Sequence, residues 1–251
     1  MKIVKKLKGH SSCTLFLESH DNKLYVRKTS SKDYRKRLIE QYIKQDNFSD
    51  PIIKKPEIIS GSFSQDDSEF VMGYIDAPTF SEYVSSNTLE DILPKFRIIL
   101  NWIKSNNILD IAETSNIFDK LHCMNKTELK TKFINNSIST SYCHGDLTFE
   151  NILIKNDDIY FIDFLDSSIN CQEMDIAKLL QDILCGWSWR DSRIPISKCA
   201  LLYDEIVSAF PNQITASRNL LLMNLYRILP YANDKTRLWV NERIENLEKL
   251  K

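Results

Sequence analysis

The hydrophobic pattern shifts from mostly strand-like to mostly helical near residue 76, and this limits the fold of the chain. Before that point, apolar residues come in short β-prone runs separated by polar turns. Cys13 to Glu18 and Leu24 to Lys28 flank His20-Asp21-Asn22, which reads as a hairpin. Glu57 to Ser62 and Phe70 to Ile75 flank a second polar turn, Gln65 to Ser68. One helical segment interrupts the strands, Ser31 to Asn47. Tyr34, Leu38 and Tyr42 share one of its faces, Ile39 and Ile43 widen it, and Pro51 and Pro56 end it. After Asp76-Ala77-Pro78 the period is helical. Ile92 to Ile103 is one such stretch, with Pro94 in its first turn. Ile117 to Met124 is another, and most of Ser197 to Leu250 follows the same pattern, broken by Pro211 and Pro230. One short strand pair remains, Ile152 to Ile154 and Ile159 to Ile162, across Asn156-Asp157-Asp158. The expectation is an α+β chain of two lobes. A small β-rich lobe covers residues 1–76, and a larger helical lobe covers 77–251.

Composition removes several function classes. Lys plus Arg is 33 and Asp plus Glu is 34, a net charge of −1, so the chain lacks the electrostatic footprint of a nucleic-acid-binding domain. With only five glycines in 251 residues, neither a dinucleotide-binding G-x-G-x-x-G nor a Walker A loop is present. None of the six cysteines forms a C-x-x-C pair, and their spacing predicts buried free thiols in a reducing compartment. The N-terminal lysines precede no apolar run, and no stretch approaches the roughly 20 apolar residues that span a bilayer. A soluble cytoplasmic protein is expected.

The chemistry is concentrated in His144-Gly145-Asp146-Leu147-Thr148-Phe149-Glu150-Asn151 and Ile162-Asp163-Phe164. Asn151 follows Asp146 by five residues, and Asp163 follows Asn151 by twelve, across the predicted hairpin. Folding that hairpin back brings Asp163 near Asn151, with Asp146 on the loop before it. Phosphoryl transfer uses such a set. Magnesium takes oxygen ligands, commonly one or two carboxylates plus nucleotide phosphates, and Asp163 with the Asn151 amide oxygen suits that task. A separate carboxylate, Asp146, suits the proton of the attacking hydroxyl.

This spacing matches the kinase catalytic loop H-x-D-x-x-x-x-N with a later D-F. The form His144-Gly145-Asp146 to Asn151, with Ile162-Asp163-Phe164 and no glycine after the phenylalanine, resembles the aminoglycoside phosphotransferase and choline kinase branch of the protein-kinase-like fold. The resemblance implies a nucleotide-binding β-rich lobe, ATP or GTP as phosphoryl donor, and Mg2+. It implies that Lys28, ending Tyr25-Val26-Arg27-Lys28, pairs with the α- and β-phosphates, and that Arg27 faces the other way. A glutamate on the next helix should hold that lysine. Glu40 is the only one there, yet it lies opposite the Tyr34, Leu38 and Tyr42 face, with Gln41 nearer to it, so a solvated Glu40 stands equally beside a paired one. Ser11 and Ser12, in a loop with the single Gly9, are placed over the phosphates. Met72 is placed behind the adenine, with the backbone of Gly73 and Ile75 bonding the base. His144 braces the loop, and Asp175 ties the loop to the helical lobe or caps its own helix.

The acceptor implied is a small molecule with a hydroxyl group. His144 to Asn151 and Ile162 to Asp166 look most like phosphotransferases associated with bacterial capsule or surface-polysaccharide synthesis, which points to a sugar or sugar derivative. Trp187-Ser188-Trp189-Arg190-Asp191 offers either a stacking platform, an ammonium cage or plain packing. The alternatives are an aminoglycoside- or choline-type kinase, or a nucleotide-binding pseudokinase acting through interactions. No acidic cluster for a polycationic drug shows in the helical lobe. The C-terminal helix, Thr236 to Lys251, carries no pattern that fixes the oligomeric state.

Overall fold

The computed structural model describes residues 2–7, 13–64, 67–106, 108–111, 138–165 and 169–249. Contacts divide the chain into two units, residues 1–83 with 150–166, and residues 84–149 with 167–251. The division differs from a single cut at residue 76. The stretch 150–166 belongs to the first unit because its hairpin pairs there.

In the first unit, β1 (Lys2–Leu7), β2 (Cys13–His20) and β3 (Lys23–Ser30) form an antiparallel sheet with two later strands. With β4 (Ile53–Lys54) set apart, β5 (Ile58–Phe63) and β6 (Ser68–Gly73) complete the order β1-β2-β3-β6-β5. Lys23 pairs with His20, which leaves a two-residue turn. Asp21 and Asn22 take φ 48° and 60° there, the positive values a tight hairpin turn requires and that Asp and Asn tolerate. A second sheet holds β4, β10 (Asp158–Phe161) and β9 (Ile152–Lys155) in the order β4-β10-β9. β10 runs parallel to β4 and antiparallel to β9. Pro78 and Thr79 also bond to β9, at Ile154 and Leu153.

Helix α1 (Arg35–Asn47) packs on β3, β5 and β6. Leu38 is fully buried, and Tyr42 meets Phe63 and Phe70 edge-on at 5.0 and 5.8 Å. The buried stripe is not the apolar face expected. Tyr34 and Ile43 are exposed, whereas Gln41, Lys44 and Gln45 are buried. Polar partners explain part of this: Lys44 Nζ donates to the Leu165 carbonyl at 2.8 Å and Gln45 Nε2 to the Pro56 carbonyl at 3.3 Å.

Among its described residues, the regular structure of the second unit is helical apart from the pair β7 (Ile108–Ile111) and β8 (Ser139–Ser141). After α2 (Phe80–Ser86), α3 (Leu89–Ser105) begins a turn earlier than its apolar pattern. Pro94 therefore falls in the second turn and removes the amide that would bond to the carbonyl of exposed Glu90. Helix α4 (Gln172–Cys185) packs against α3, α5 (Ile196–Ala209) and α6 (Ile214–Ile228). Helix α7 (Asp234–Lys249) packs on α6, burying Val240 and Ile244. The segment Ile117 to Met124 lies outside the described residues. Among those described, no helix is long and apolar enough to cross a membrane.

Gly186 closes α4 at φ 72°, and its N–H bonds the Asp182 carbonyl at 2.8 Å. A Cβ here would stand 2.3 Å from Ile194 Cδ1. Gly186→Ala is expected to lower stability by about 1–3 kcal/mol through backbone strain. A denaturant midpoint at the wild-type value would contradict that.

Cys13, Cys143, Cys171, Cys185 and Cys199 are buried thiols. Burial pushes Cys185 and Cys199 up to about 12, and Cys171 well above its ordinary value. At pH 8 a thiol near 12 is thiolate in about one molecule in ten thousand, so these groups are unreactive. A thiol reagent at pH 8 should titrate at most Cys123 quickly, and the other five only on denaturation. Two or more fast thiols in the native protein would refute this.

Candidate functional site

Strand β3 places the neighbours Arg27 and Lys28 on opposite faces. The Arg27 guanidinium pairs with Glu18 at 2.7 Å and Glu69 at 3.1 Å, and stacks over the Phe16 ring. The Glu18 hydrogen bond, opposed by burial and aided by Glu69, holds Arg27 above its ordinary range. On the other face Lys28 is 3% exposed, and its Nζ lies 2.5 Å from Asp163 Oδ1. A buried ammonium requires such a partner. The contact joins residues 135 apart in sequence.

The hairpin of β9 and β10 delivers Asp163. Phe161 pairs with Ile152, and the Ile162 N–H donates to the Asn151 carbonyl at 3.0 Å. Asp163 is thus one residue beyond the position opposite Asn151, as folding back the hairpin predicts. Its φ is 59°, a left-handed conformation that costs about 1–2 kcal/mol for most residues and least for Asp and Asn. Helix α1 supports the same segment from below. Lys44 bonds Leu165, and Phe48 packs on Phe164 at 4.9 Å and Phe161 at 6.2 Å. Asp163 keeps 36% of its side chain accessible while Lys28 is buried. The Asp163 carboxylate and the Asn151 carboxamide supply hard oxygen donors of the kind magnesium takes, beside a cation suited to phosphate.

Glu40 is not brought to Lys28. It lies 3.7 Å from Lys36, one helical turn back, and is half exposed. The α1 rotation that buries Leu38 and Gln41 turns Glu40 outward, so Asp163 takes the lysine instead. Met72 is buried, and Gln45 Nε2 approaches its sulfur at 3.5 Å. The Gly73 N–H already donates to the Glu57 carbonyl at 2.9 Å, which leaves its own carbonyl as what it can present to a base. Tyr74 N–H donates to Leu24, and Ile75 follows in open chain after β6. Ser11, Ser12 and Asp166 lie outside the described residues.

In the second unit, α4 grips the loop His144–Phe149 at three levels. Asp175 accepts the His144 and Gly145 N–H groups at 2.7 and 2.8 Å. Gly145 takes φ 88°, which frees its amide to turn toward that carboxylate. Lys178 Nζ lies 2.9 Å from Asp146 Oδ1. Asp182 accepts the Phe149 N–H at 2.7 Å and the Ser188 N–H at 2.8 Å. Positions 175, 178 and 182 share one helix face. His144 is fully buried, and its Nδ1 accepts the Asp146 N–H at 3.3 Å, so it braces the loop and its ring proton sits on Nε2. Lys178 and Asp182 were not foreseen as parts of this site. The signal that marks them is three charged residues, Asp175, Lys178 and Asp182, on one face of a mostly apolar helix.

The Trp187-to-Asp191 run is built into a packed stack. Arg190 lies 4.7 Å over Trp187, Arg243 lies 5.1 Å over Trp239, and the two indoles meet edge-on at 6.0 Å. A guanidinium already covers a face of each ring, which argues against an ammonium cage. Trp189 is buried against Phe149 at 5.7 Å.

No family model matches this chain, and no curated protein matches it. Solved structures do. The aminoglycoside phosphotransferase APH(4)-Ia, as a thermostable mutant in its apo form, superposes with a TM-score of 0.65 at 13% identity, over 98% of this chain and 93% of that one. Other structures of that enzyme hold ADP or AMP-PNP with hygromycin B. A fructosamine-3-kinase candidate from Haemophilus somnus 129PT gives 0.59 at 14% identity, over 96% and 90% of the two chains. The streptomycin–ATP complex of APH(2″)-IIa gives 0.57 at 15% identity, over 96% and 92%. Across nearly its full length, this chain has the α+β fold of protein-kinase-like small-molecule phosphotransferases, with an antiparallel-sheet N-lobe and a helical C-lobe.

Proposed function

We propose that this protein is an ATP- and magnesium-dependent phosphotransferase that moves the γ-phosphoryl group to a hydroxyl of a small molecule. The observation that carries this reading is the Lys28–Asp163 ion pair beside Asn151, formed by residues far apart in sequence at the positions such chemistry needs. Lys28 binds the α- and β-phosphates. Asp163 and Asn151 would hold a magnesium ion, which would supply neutralisation of the phosphate charge. Asp146 accepts the acceptor's hydroxyl proton as the new oxygen–phosphorus bond forms. The bond from the γ-phosphorus to the β–γ bridging oxygen breaks, and ADP departs with that electron pair. Met72 lines the adenine pocket, the Gly73 carbonyl and Ile75 N–H bond the base, and Ser11 and Ser12 cover the phosphates. Glu40 stays outside this arrangement unless α1 rotates on binding.

The neighbours solved with ADP, AMP-PNP or ATP support ATP as donor. The resemblance of His144 to Asn151 and Ile162 to Asp166 supports a sugar or sugar derivative of surface-polysaccharide metabolism as acceptor. The test is ADP release with ATP or GTP over a panel of neutral sugars, aminoglycosides and choline-type alcohols. Stimulation by a sugar with ATP is the expected result. Nucleotide binding without stimulation by any acceptor would favour a pseudokinase.

A further inference from the structure

We infer that Lys178 is the positioning residue for Asp146, and that its charge restricts the acceptor to hydroxyls flanked by neutral or anionic groups. The inference rests on the proposed phosphotransferase reading and concerns the acceptor end of the same site. Lys178 is 14% exposed and Asp146 28%, so the 2.9 Å contact is a partly desolvated ion pair rather than a surface one. Surface pairs between long side chains hold little orientation, because each side chain must be ordered for a small Coulombic gain. Here the ordering is built in. Asp175 and Asp182 fasten the loop to α4 on either side of Lys178, at His144, Gly145 and Phe149. The ammonium therefore meets Asp146 from a fixed helix rather than from a mobile chain.

The neighbouring groups His144 and Asp175 hold backbone amides of the loop. His144 Nδ1 takes the Asp146 N–H, and both Asp175 oxygens take backbone amides. Among the described residues, Lys178 is a cation in direct contact with the Asp146 carboxylate. In a loose phosphoryl-transfer transition state the proton need not move early, so the position of the base counts for more than its strength. A cation on one carboxylate oxygen fixes its rotamer. The same cation stands beside the acceptor. An ammonium group next to the reacting hydroxyl would face Lys178 at short range in a partly desolvated site, where like charges repel strongly. A neutral polyhydroxy ring, or one bearing a carboxylate or phosphate, meets no such penalty.

The test compares wild type, Lys178→Met, Lys178→Arg and Asp146→Asn on glucose and glucosamine as paired probes. Lys178→Met is expected to lower kcat by about 10- to 100-fold with nucleotide affinity unchanged, since orientation of a general base is worth that order. It should also narrow the preference for glucose over glucosamine. Lys178→Arg should restore most of the rate and the preference. Wild-type kcat in Lys178→Met, or a loss that Lys178→Arg does not recover, would overturn the inference. Full turnover in Asp146→Asn would instead remove Asp146 from the role of base, and absence of transfer to any acceptor by the wild type would overturn the phosphotransferase reading. Should neither probe be turned over, the carbon-13 resonance of the Asp146 carboxylate at neutral pH decides. Movement in Lys178→Met with return in Lys178→Arg supports the pairing, and an unmoved resonance overturns it.

Discussion

Replacing Asp146 with asparagine is expected to lower kcat by about 10²- to 10⁴-fold while leaving nucleotide affinity within a factor of two or so. Asparagine matches aspartate in shape and cannot accept the hydroxyl proton. The loop should stay in place, because its anchors are Asp175 and Asp182 rather than Asp146. Lys178 would lose its anionic partner, yet at 14% exposure it retains some access to water. A stability change of about 1–2 kcal/mol is therefore the upper expectation. Steady-state kinetics with a calorimetric nucleotide titration measure both quantities. A variant with near wild-type turnover would remove Asp146 from the role of base.

The second large effect belongs to Asp163. Asp163→Ala should abolish the magnesium dependence of nucleotide binding, because the carboxylate is the strongest oxygen donor in the proposed metal site. The same change leaves the buried Lys28 ammonium without its partner, which is expected to cost about 1–3 kcal/mol of stability. The two consequences separate in a double variant. Adding Lys28→Met to Asp163→Ala should recover much of the stability and none of the metal-dependent binding. Nucleotide binding that still responds to magnesium in Asp163→Ala would contradict the metal assignment.

Much of the fold could be read from local patterns. The turn Asp21-Asn22, the strands around it and the hairpin across Asn156 follow from β-prone runs joined by residues that accept positive φ. The change to helical period after residue 76 marked the helical C-lobe. Where the reading missed, the cause was tertiary. Helix α1 buries Lys44 and Gln45 and exposes Ile43, because the carbonyls of Leu165 and Pro56 receive those polar donors. No periodicity analysis of the helix alone contains those carbonyls. The same rotation explains why Glu40 faces Lys36 and why Asp163 takes Lys28. Helix α3 begins before its apolar stripe because exposed Glu90 and Asp91 form a first turn that needs no buried face. Of the candidate site, Asp146, Asn151 and Asp163 can be named from the sequence, since their chemistry and order constrain each other. Lys178 and Asp182 cannot be, because a charged residue in a helix reads as solvated until its partner is known.

The central claim is that a phosphoryl group moves from ATP to a small hydroxylated acceptor with Asp146 as base. Its most direct test is the transfer itself, using terminally labelled ATP, magnesium and the acceptor panel, run in parallel with Asp146→Asn. The account predicts label on one class of hydroxyl compound with the wild-type protein and almost none with the variant. Label transferred equally by both proteins, or nucleotide bound by both with no label transferred to any acceptor, would contradict it.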